Sequence, residues 1–236
     1  MKYAIPSYRI FPLGDQALVI DFGNRVDESL NNAVISLFRL FQNTSLRGVV
    51  DFVPAYSSLT IFYDPEILTG YQGSRETAFH FFSKQVHDIC HTYTGIEEKS
   101  SEVIKIGVCY DPGFAPDMPM VCERAGMDAA SVIELHTSIT YRVYMLGFLP
   151  GFAYLGETDA RLDVPRKKIP SEVQQGSVGL AGRQTGVYPF RSPGGWQIIG
   201  RTPVTLFDAH ASQPSLLKAG DLVRFYSITT DEFKNY

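Results

Sequence analysis

At 236 residues, 44% of them hydrophobic, the chain is long enough for one large domain or two modest ones and carries the apolar content of a globular core. A charged fraction of 19% and a net charge of −4 argue against a general polyanion binder, and no run of eighteen apolar residues is present to span a membrane. The opening MKYAIPSYRIFPLGDQ lacks the apolar core of a secretory leader, and Cys90, Cys109 and Cys122 show no paired spacing. They are expected to be buried thiols of a reducing, cytoplasmic compartment, where the Asn43-Thr44-Ser45 sequon carries no meaning.

In chain order, Tyr8–Leu13 and Gln16–Phe22 read as paired strands around a Gly14-Asp15 turn. Asp27 is placed to cap a helix whose apolar positions Leu30, Ala33, Val34, Leu37, Phe38 and Phe41 follow the 3.6 period. Strands follow at Gly48–Pro54 and Ser58–Tyr63, then a helix after Ser74 that buries Ala78, Phe82, Val86 and Ile89. The order β-β-α-β-β-α predicts one antiparallel sheet with helices on one face, a small α+β domain over residues 1–98. The polar, aperiodic TGIEEKSSE, ending at Glu102, is taken as the linker to a second domain over residues 99–236.

That second part begins with a strand over Glu102–Tyr110, with Ile104, Ile106, Val108 and Tyr110 on one face. Two short helices come next, one capped by Asp117 and closed by Gly126, the other capped by Asp128 and running to about His136. From Ile139 the segments ITYRVYMLGF, GSVGLA, GVYPF, WQIIGR, VTLF and LVRFYSI read as short strands separated by Gly or Pro, which predicts a closed or nearly closed β-barrel.

Residues 146–205 hold ten of the twenty glycines and six of the fourteen prolines, a density that suits loops shaped around a ligand as well as barrel corners. Between 160 and 205 there are seven basic side chains (Arg161, Arg166, Lys167, Lys168, Arg183, Arg191 and Arg201) against two acids, Asp163 and Glu172. The local balance of +5 predicts a patch that meets an anion or an acidic partner, and the excess of arginine favours bidentate recognition of carboxylate or phosphate.

Self-contained chemistries are hard to find. HDICH, His87–His91, places two imidazoles on one helix face but brings no third ligand, so no metal site is expected. There is no Gly-Lys dipeptide for a Walker A loop and no GxSxG elbow, and GSVGLAG has the wrong spacing for a dinucleotide fingerprint. The chain reads as one contributor to a shared site.

GFLPGFAYLGETDARLDVPRKKIP followed by GSVGLAGRQTGVYPFRSPGGWQIIGRTP resembles the family of 5-oxoprolinase B-subunits, also called allophanate hydrolase subunit 1 or the Kip-type kinase inhibitors. The block runs from about Ile133 to Pro203, with weaker similarity from GDQALVIDF onward. One departure is Pro170-Ser171, where the family commonly carries Pro-Arg. The resemblance implies a cyclophilin-like β-barrel behind a small α+β domain. It also implies assembly with a second cyclophilin-like protein (the C-subunit of 5-oxoprolinase) and with the enzyme's A-subunit, and ATP-dependent opening of 5-oxoproline to L-glutamate. ATP with Mg would act at the level of the complex, and no cofactor is expected for this chain alone. Neither nucleic acid nor membrane is an expected partner. Two other readings stay open: a carboxyltransferase-type component of a urea carboxylase or allophanate system, and a protein inhibitor of a sporulation-type histidine kinase.

Within that frame His136, Arg183 and Gln184 are the catalytic candidates, His136 as a base or hydrogen-bonder and the other two as holders of a carboxylate or amide. Tyr188, Arg191, Ser192, Gly194, Gly195 and Trp196 are the substrate-binding candidates, offering backbone N–H groups beside an aromatic wall. Arg166, Lys167 and Lys168 are assigned to a phosphate or partner surface, while Phe148, Phe152 and Tyr154 are expected to pack the loop or line an interface with another subunit.

Overall fold

The computed structural model describes residues 5–68, 76–93 and 102–236, and the chain divides into two compact units, Met1–Lys99 and Ser100–Tyr236. The TGIEEKSSE linker, apart from Glu102, lies outside the described residues.

In the first unit β1 (Arg9–Pro12), β2 (Ala17–Asp21), β3 (Val49–Pro54) and β4 (Ser58–Tyr63) form an antiparallel sheet in the order β1-β2-β4-β3. Helix α1 (Glu28–Gln42) starts where Asp27 accepts a hydrogen bond from the Leu30 N–H, as its sequence predicts. Helix α2 (Ala78–Thr92) starts at Thr77, whose hydroxyl accepts from the His80 N–H. Leu18, Ile20, Leu59, Ile61 and Tyr63 of the sheet pack with Val34, Leu37 and Phe41 of α1 and Phe82, Val86 and Cys90 of α2 in one cluster, so both helices cover the same face. The buried stripe of α2 is Phe82-Val86-Cys90; Ala78 and Ile89, expected inside, are half-buried at its margin.

The second unit begins with β5 (Val103–Val108), followed by α3 (Met118–Ala125) and α4 (Ala129–Ser138). Then come β6 (Thr140–Leu146), β7 (Ala153–Gly156), β8 (Ser171–Val173), β9 (Ser177–Ala181), β10 (Gln184–Val187), β11 (Ser192–Gly194), β12 (Gln197–Arg201), β13 (Leu222–Ser227) and a terminal α5 (Thr230–Lys234). Seven strands form one sheet in the order β12-β9-β10-β7-β6-β13-β5, antiparallel except for the parallel β13–β5 pair. The sheet curls until its two edges meet. Cys109, just past β5, exchanges backbone hydrogen bonds of 2.8 and 2.9 Å with Arg201 at the end of β12. That bridge brings the two edge strands of the curled sheet together at one point. Ile106, Val108, Val143, Leu155, Val178, Leu180, Ile199 and Phe225 fill the interior with almost no solvent exposure.

Sequence and structure part at several strands. VTLF forms no strand; Phe207 makes only an isolated bridge to Ser215. The middle of GFAYL is β7, a central strand of the sheet, and SPG and SEV pair as a small β8–β11 ribbon. Of the three thiols, Cys90 and Cys109 are buried and Cys122 is half-exposed. Among the described residues no helix is long and apolar enough to cross a membrane.

Candidate functional site

The loop between β6 and β7 folds on itself: Gly147 N–H donates to Phe152 O at 3.1 Å and Phe152 N–H to Leu149 O at 3.0 Å. This turn forces Phe148 to φ +69°, a left-handed conformation that is a genuine outlier for a bulky side chain, with the ring 59% exposed. Phe152, by contrast, is buried at the centre of an aromatic cluster. Its ring centroid lies 4.9 Å from Tyr154, 5.2 Å from Tyr188, 5.5 Å from Trp196 and 5.5 Å from Phe148, all edge to face. Alternation along β9 explains the placement, since Val178 and Leu180 enter the barrel core while Ala181 faces this cluster.

The glycine density now has a cause. A Cβ on Gly179 would lie 2.9 Å from the Trp196 Cβ, and one on Gly186 would meet the Phe152 and Trp196 rings at 3.1 and 3.2 Å. Bare backbone in β9 and β10 is what lets the aromatic rings lie against the sheet.

Several candidates are part of this packing. Tyr188 and Trp196 are 1% and 4% exposed. Burial pushes the pKa of the Tyr188 hydroxyl up, while the Trp196 backbone amide and Arg166 pull the other way. Gly194 backs onto that hydroxyl so closely that a Cβ there would be 2.6 Å from it, and Gly195 O accepts from Lys167 N–H at 2.7 Å. The Ser192 hydroxyl is buried and has no hydrogen-bond partner among the described residues.

Arg183 and Gln184 lie elsewhere, where β7 and β10 pair. Gln184 sits opposite Gly156 and Ala181 and is half-buried. Exposed Arg183 reaches Glu157 at 2.9 Å and the Thr158 carbonyl at 3.4 Å, and its own carbonyl accepts from Thr158 N–H at 2.9 Å. Thr158 is 1% exposed, yet among the described residues its hydroxyl has no hydrogen-bond partner. Glu157 and Thr158 escaped the sequence reading because nothing local in GETD marks them; only strand pairing brings them to Arg183.

His136 lies in the interior. Fully buried, it has Nδ1 2.7 Å from the Tyr110 hydroxyl and Nε2 2.9 Å from Thr185 Oγ1, and its carbonyl accepts from the Tyr141 hydroxyl at 2.9 Å. The ring stacks on Phe225 at 4.7 Å. Burial holds its pKa down to about 3, so the imidazole is neutral. With both nitrogens engaged and no exposed surface, it joins α4 to β10 as a core hydrogen-bond hub.

The basic patch is largely neutralised from outside its own window. Arg161 forks onto Asp159 with two 2.9 Å bonds, Lys167 pairs with Asp117 at 2.6 Å, and Arg191 pairs with Glu172 at 2.6 Å. With the Arg183–Glu157 pair, four of the seven cations carry a carboxylate partner, and Arg201 donates to Gln175 O at 2.7 Å. Arg166 and Lys168 are exposed, and among the described residues no carboxylate pairs with either. Ser171, at the position of the family's arginine, accepts from Lys167 Nζ at 3.2 Å. A triphosphate with its Mg needs converging free donors and oxygen ligands. This set does not fit that need, and among the described residues no group of three His, Cys, Asp or Glu side chains gathers to hold a metal. A surface recess of about 410 Å³ opens in the first unit beside Arg25, Tyr56 and Ser57, and no predicted site residue lines it.

The curled sheet with its aromatic- and glycine-rich face lies within a segment that matches a carboxyltransferase-type module. The family described as carboxyltransferase domain, subdomain C and D, matches residues 8–217. The B-subunit of 5-oxoprolinase from Bacillus subtilis (strain 168) is 37% identical over 235 residues, covering 97% of this chain and 96% of that protein. The Escherichia coli O157:H7 protein of the same name is 36% identical over 92% of this chain and 94% of its own. The crystal structure of TTHA0988 superposes with a TM-score of 0.78 at 35% identity over 90% of this chain, which spans 40% of that longer protein. The chain belongs to the family of 5-oxoprolinase B-subunits.

Proposed function

We propose that this chain is a non-autonomous subunit of an ATP-dependent 5-oxoprolinase, an amidohydrolase that opens 5-oxoproline to L-glutamate together with its A- and C-subunits. The observation that carries the reading is end-to-end similarity to the 5-oxoprolinase B-subunit at 37% identity, with 96% of that relative's length covered. ATP with Mg supplies, in the assembled enzyme, the free energy that an unstrained lactam lacks for hydrolysis at neutral pH. The cations of this chain do not form a cradle for it, so its site is assigned to the assembly.

Within that enzyme Arg183, half-exposed and held by Glu157, presents a guanidinium edge for the substrate carboxylate, and Gln184 beside it offers an amide. The buried Thr158 hydroxyl beneath them supplies a spare donor and acceptor. Tyr188, Ser192, Gly194, Gly195 and Trp196 shape the neighbouring loop, and Phe148 with Arg166 and Lys168 faces a partner protein of the complex. His136 positions Thr185 on β10, next to Gln184.

Glutamate release from 5-oxoproline, with and without ATP, tests the reading on this chain alone, with its cognate C-subunit, and with all three subunits. Glutamate is expected only from the complete, ATP-supplied mixture. No turnover by a complex shown to have assembled overturns the substrate and directs attention to carboxyl transfer or kinase inhibition.

A further inference from the structure

The HDICH segment of α2 is not absorbed by this function. His87 and His91 are four residues apart, so the helical repeat stacks them on one face, and both side chains are exposed. Their rings meet edge to face at 4.2 Å and 86°, with the two Nε2 atoms 2.8 Å apart. The other nitrogen of His87 is 2.8 Å from the Tyr8 hydroxyl, whose ring packs edge to face on the imidazole at 5.8 Å. A histidine held through Nδ1 by a hydroxyl keeps its orientation, a support also seen around metal-ligating imidazoles, and the 2.8 Å contact between the two Nε2 atoms is a hydrogen bond in which one of them carries the proton that a metal ion would displace.

We propose that α2 carries a two-histidine chelate for a divalent transition ion, His87 and His91 each contributing Nε2 and solvent completing the coordination. The bite selects among metals. With metal–nitrogen bonds of about 2.0–2.1 Å, nitrogens this close subtend an angle of roughly 90° at the metal, whereas a tetrahedral ion wants them about 3.3 Å apart. A right angle is the cis geometry of tetragonal and square-planar ions, so Cu²⁺ and Ni²⁺ fit better than Zn²⁺, in keeping with the general affinity order. The site lies in the first unit, and the proposal is independent of the 5-oxoprolinase reading.

Calorimetric titration of the tag-free full-length chain with Cu²⁺, Ni²⁺ and Zn²⁺ tests it. One equivalent is expected to bind, Cu²⁺ most tightly and Zn²⁺ least, and the Cu²⁺ complex should show a nitrogen-coordinated tetragonal resonance spectrum. His87→Ala and His91→Ala should each weaken binding at least tenfold, with His91→Gln as a second variant that keeps side-chain bulk. Removing the other exposed histidines, His80 and His210, should leave the equivalent in place. Metal-free melting temperatures of the variants verify folding. Equal affinity in wild type and the His87→Ala/His91→Ala double variant overturns the proposal, as does tighter binding of Zn²⁺ than of Ni²⁺.

Discussion

Lys167 and Asp117 stand 50 positions apart in sequence and form a 2.6 Å ion pair in which each side chain is only 19% exposed. The same Asp117 oxygen accepts the backbone N–H of Ile198 at 2.7 Å, and Asp117 N–H donates to Ile198 O at 3.0 Å. One carboxylate therefore ties the start of α3 to β12 and to the Pro165–Lys167 loop. Asp117→Ala leaves a partly buried ammonium and the Ile198 amide without their acceptor, and should cost about 2–4 kcal/mol in urea denaturation. Lys167→Met keeps the stem and the Ile198 bond and should cost about 1 kcal/mol or less. Equal losses in the two variants would contradict this division.

His136 makes stability fall with acid. Its folded pKa, about 3, lies below the ordinary value of 6.5, so beneath pH 6.5 the unfolded chain binds a proton that the folded chain excludes. Stability contributed by the neutral ring is fully present above pH 6.5 and is lost as pH falls toward 3, at up to about 1.4 kcal/mol per pH unit. His136→Gln, whose amide can still bridge Tyr110 and Thr185, should flatten the dependence of unfolding free energy between about pH 6 and 4 by close to one proton. An unchanged slope would show that the imidazole charges inside the fold.

Two glycines with similar backbones should respond differently to alanine. Gly182 has φ +56° and open space around a built Cβ, so Gly182→Ala should cost only the left-handed penalty, about 1–2 kcal/mol. Gly176 has φ +80° and would place its Cβ 2.1 Å from the Thr202 carbonyl, whose residue also donates its N–H to Gly176 O. Gly176→Ala adds a backbone clash to the same penalty and should cost roughly 3 kcal/mol or more. Thermal denaturation of the pair separates conformational strain from overpacking.

These residues also show what was legible in the sequence. Asp27 and Asp128 cap the helices they precede, because capping is local and a side chain three residues from its N–H has few other choices. Asp117 has the same look but makes no side-chain cap bond; its partners come from a loop 50 positions onward and from β12, 81 positions onward, which no local pattern encodes. Ser58–Tyr63 is a strand to the residue, whereas β7, β8 and β11 were missed, since Gly and Pro in and around them mask the period-2 pattern. The positive balance over residues 160–205 fails as a guide for the same reason: Asp117, Glu157 and Asp159 lie outside the window yet neutralise cations within it.

On the proposed function, Arg183→Ala should separate substrate binding from folding. Its pair with Glu157 is exposed on both sides, 46% and 38%, so solvent screens it and Arg183→Ala should change unfolding free energy by less than about 0.5 kcal/mol. In the reconstituted three-component enzyme the same variant should raise KM for 5-oxoproline at least tenfold. Arg183→Lys should recover only part of the loss, because an ammonium lacks the planar fork. Full activity in a folded Arg183→Ala protein would remove this residue from the site.

Phe148 holds a strained conformation for a ring that is mostly in water, an arrangement folding alone does not reward. Phe148→Gly relieves a left-handed penalty of about 1–2 kcal/mol while adding unfolded-state freedom and losing edge contacts to Phe152 and Tyr188. These terms nearly cancel, so the isolated chain should keep its stability to within about 1 kcal/mol. Phe148→Ala retains the strain, loses the ring, and should be the less stable of the two. If the exposed ring is an anchor for the C-subunit of the enzyme, both variants weaken association by tenfold or more in a calorimetric titration, whichever is the more stable, with the loss appearing mainly in the dissociation rate. Affinity that tracks stability instead would mean that the ring serves only its own loop.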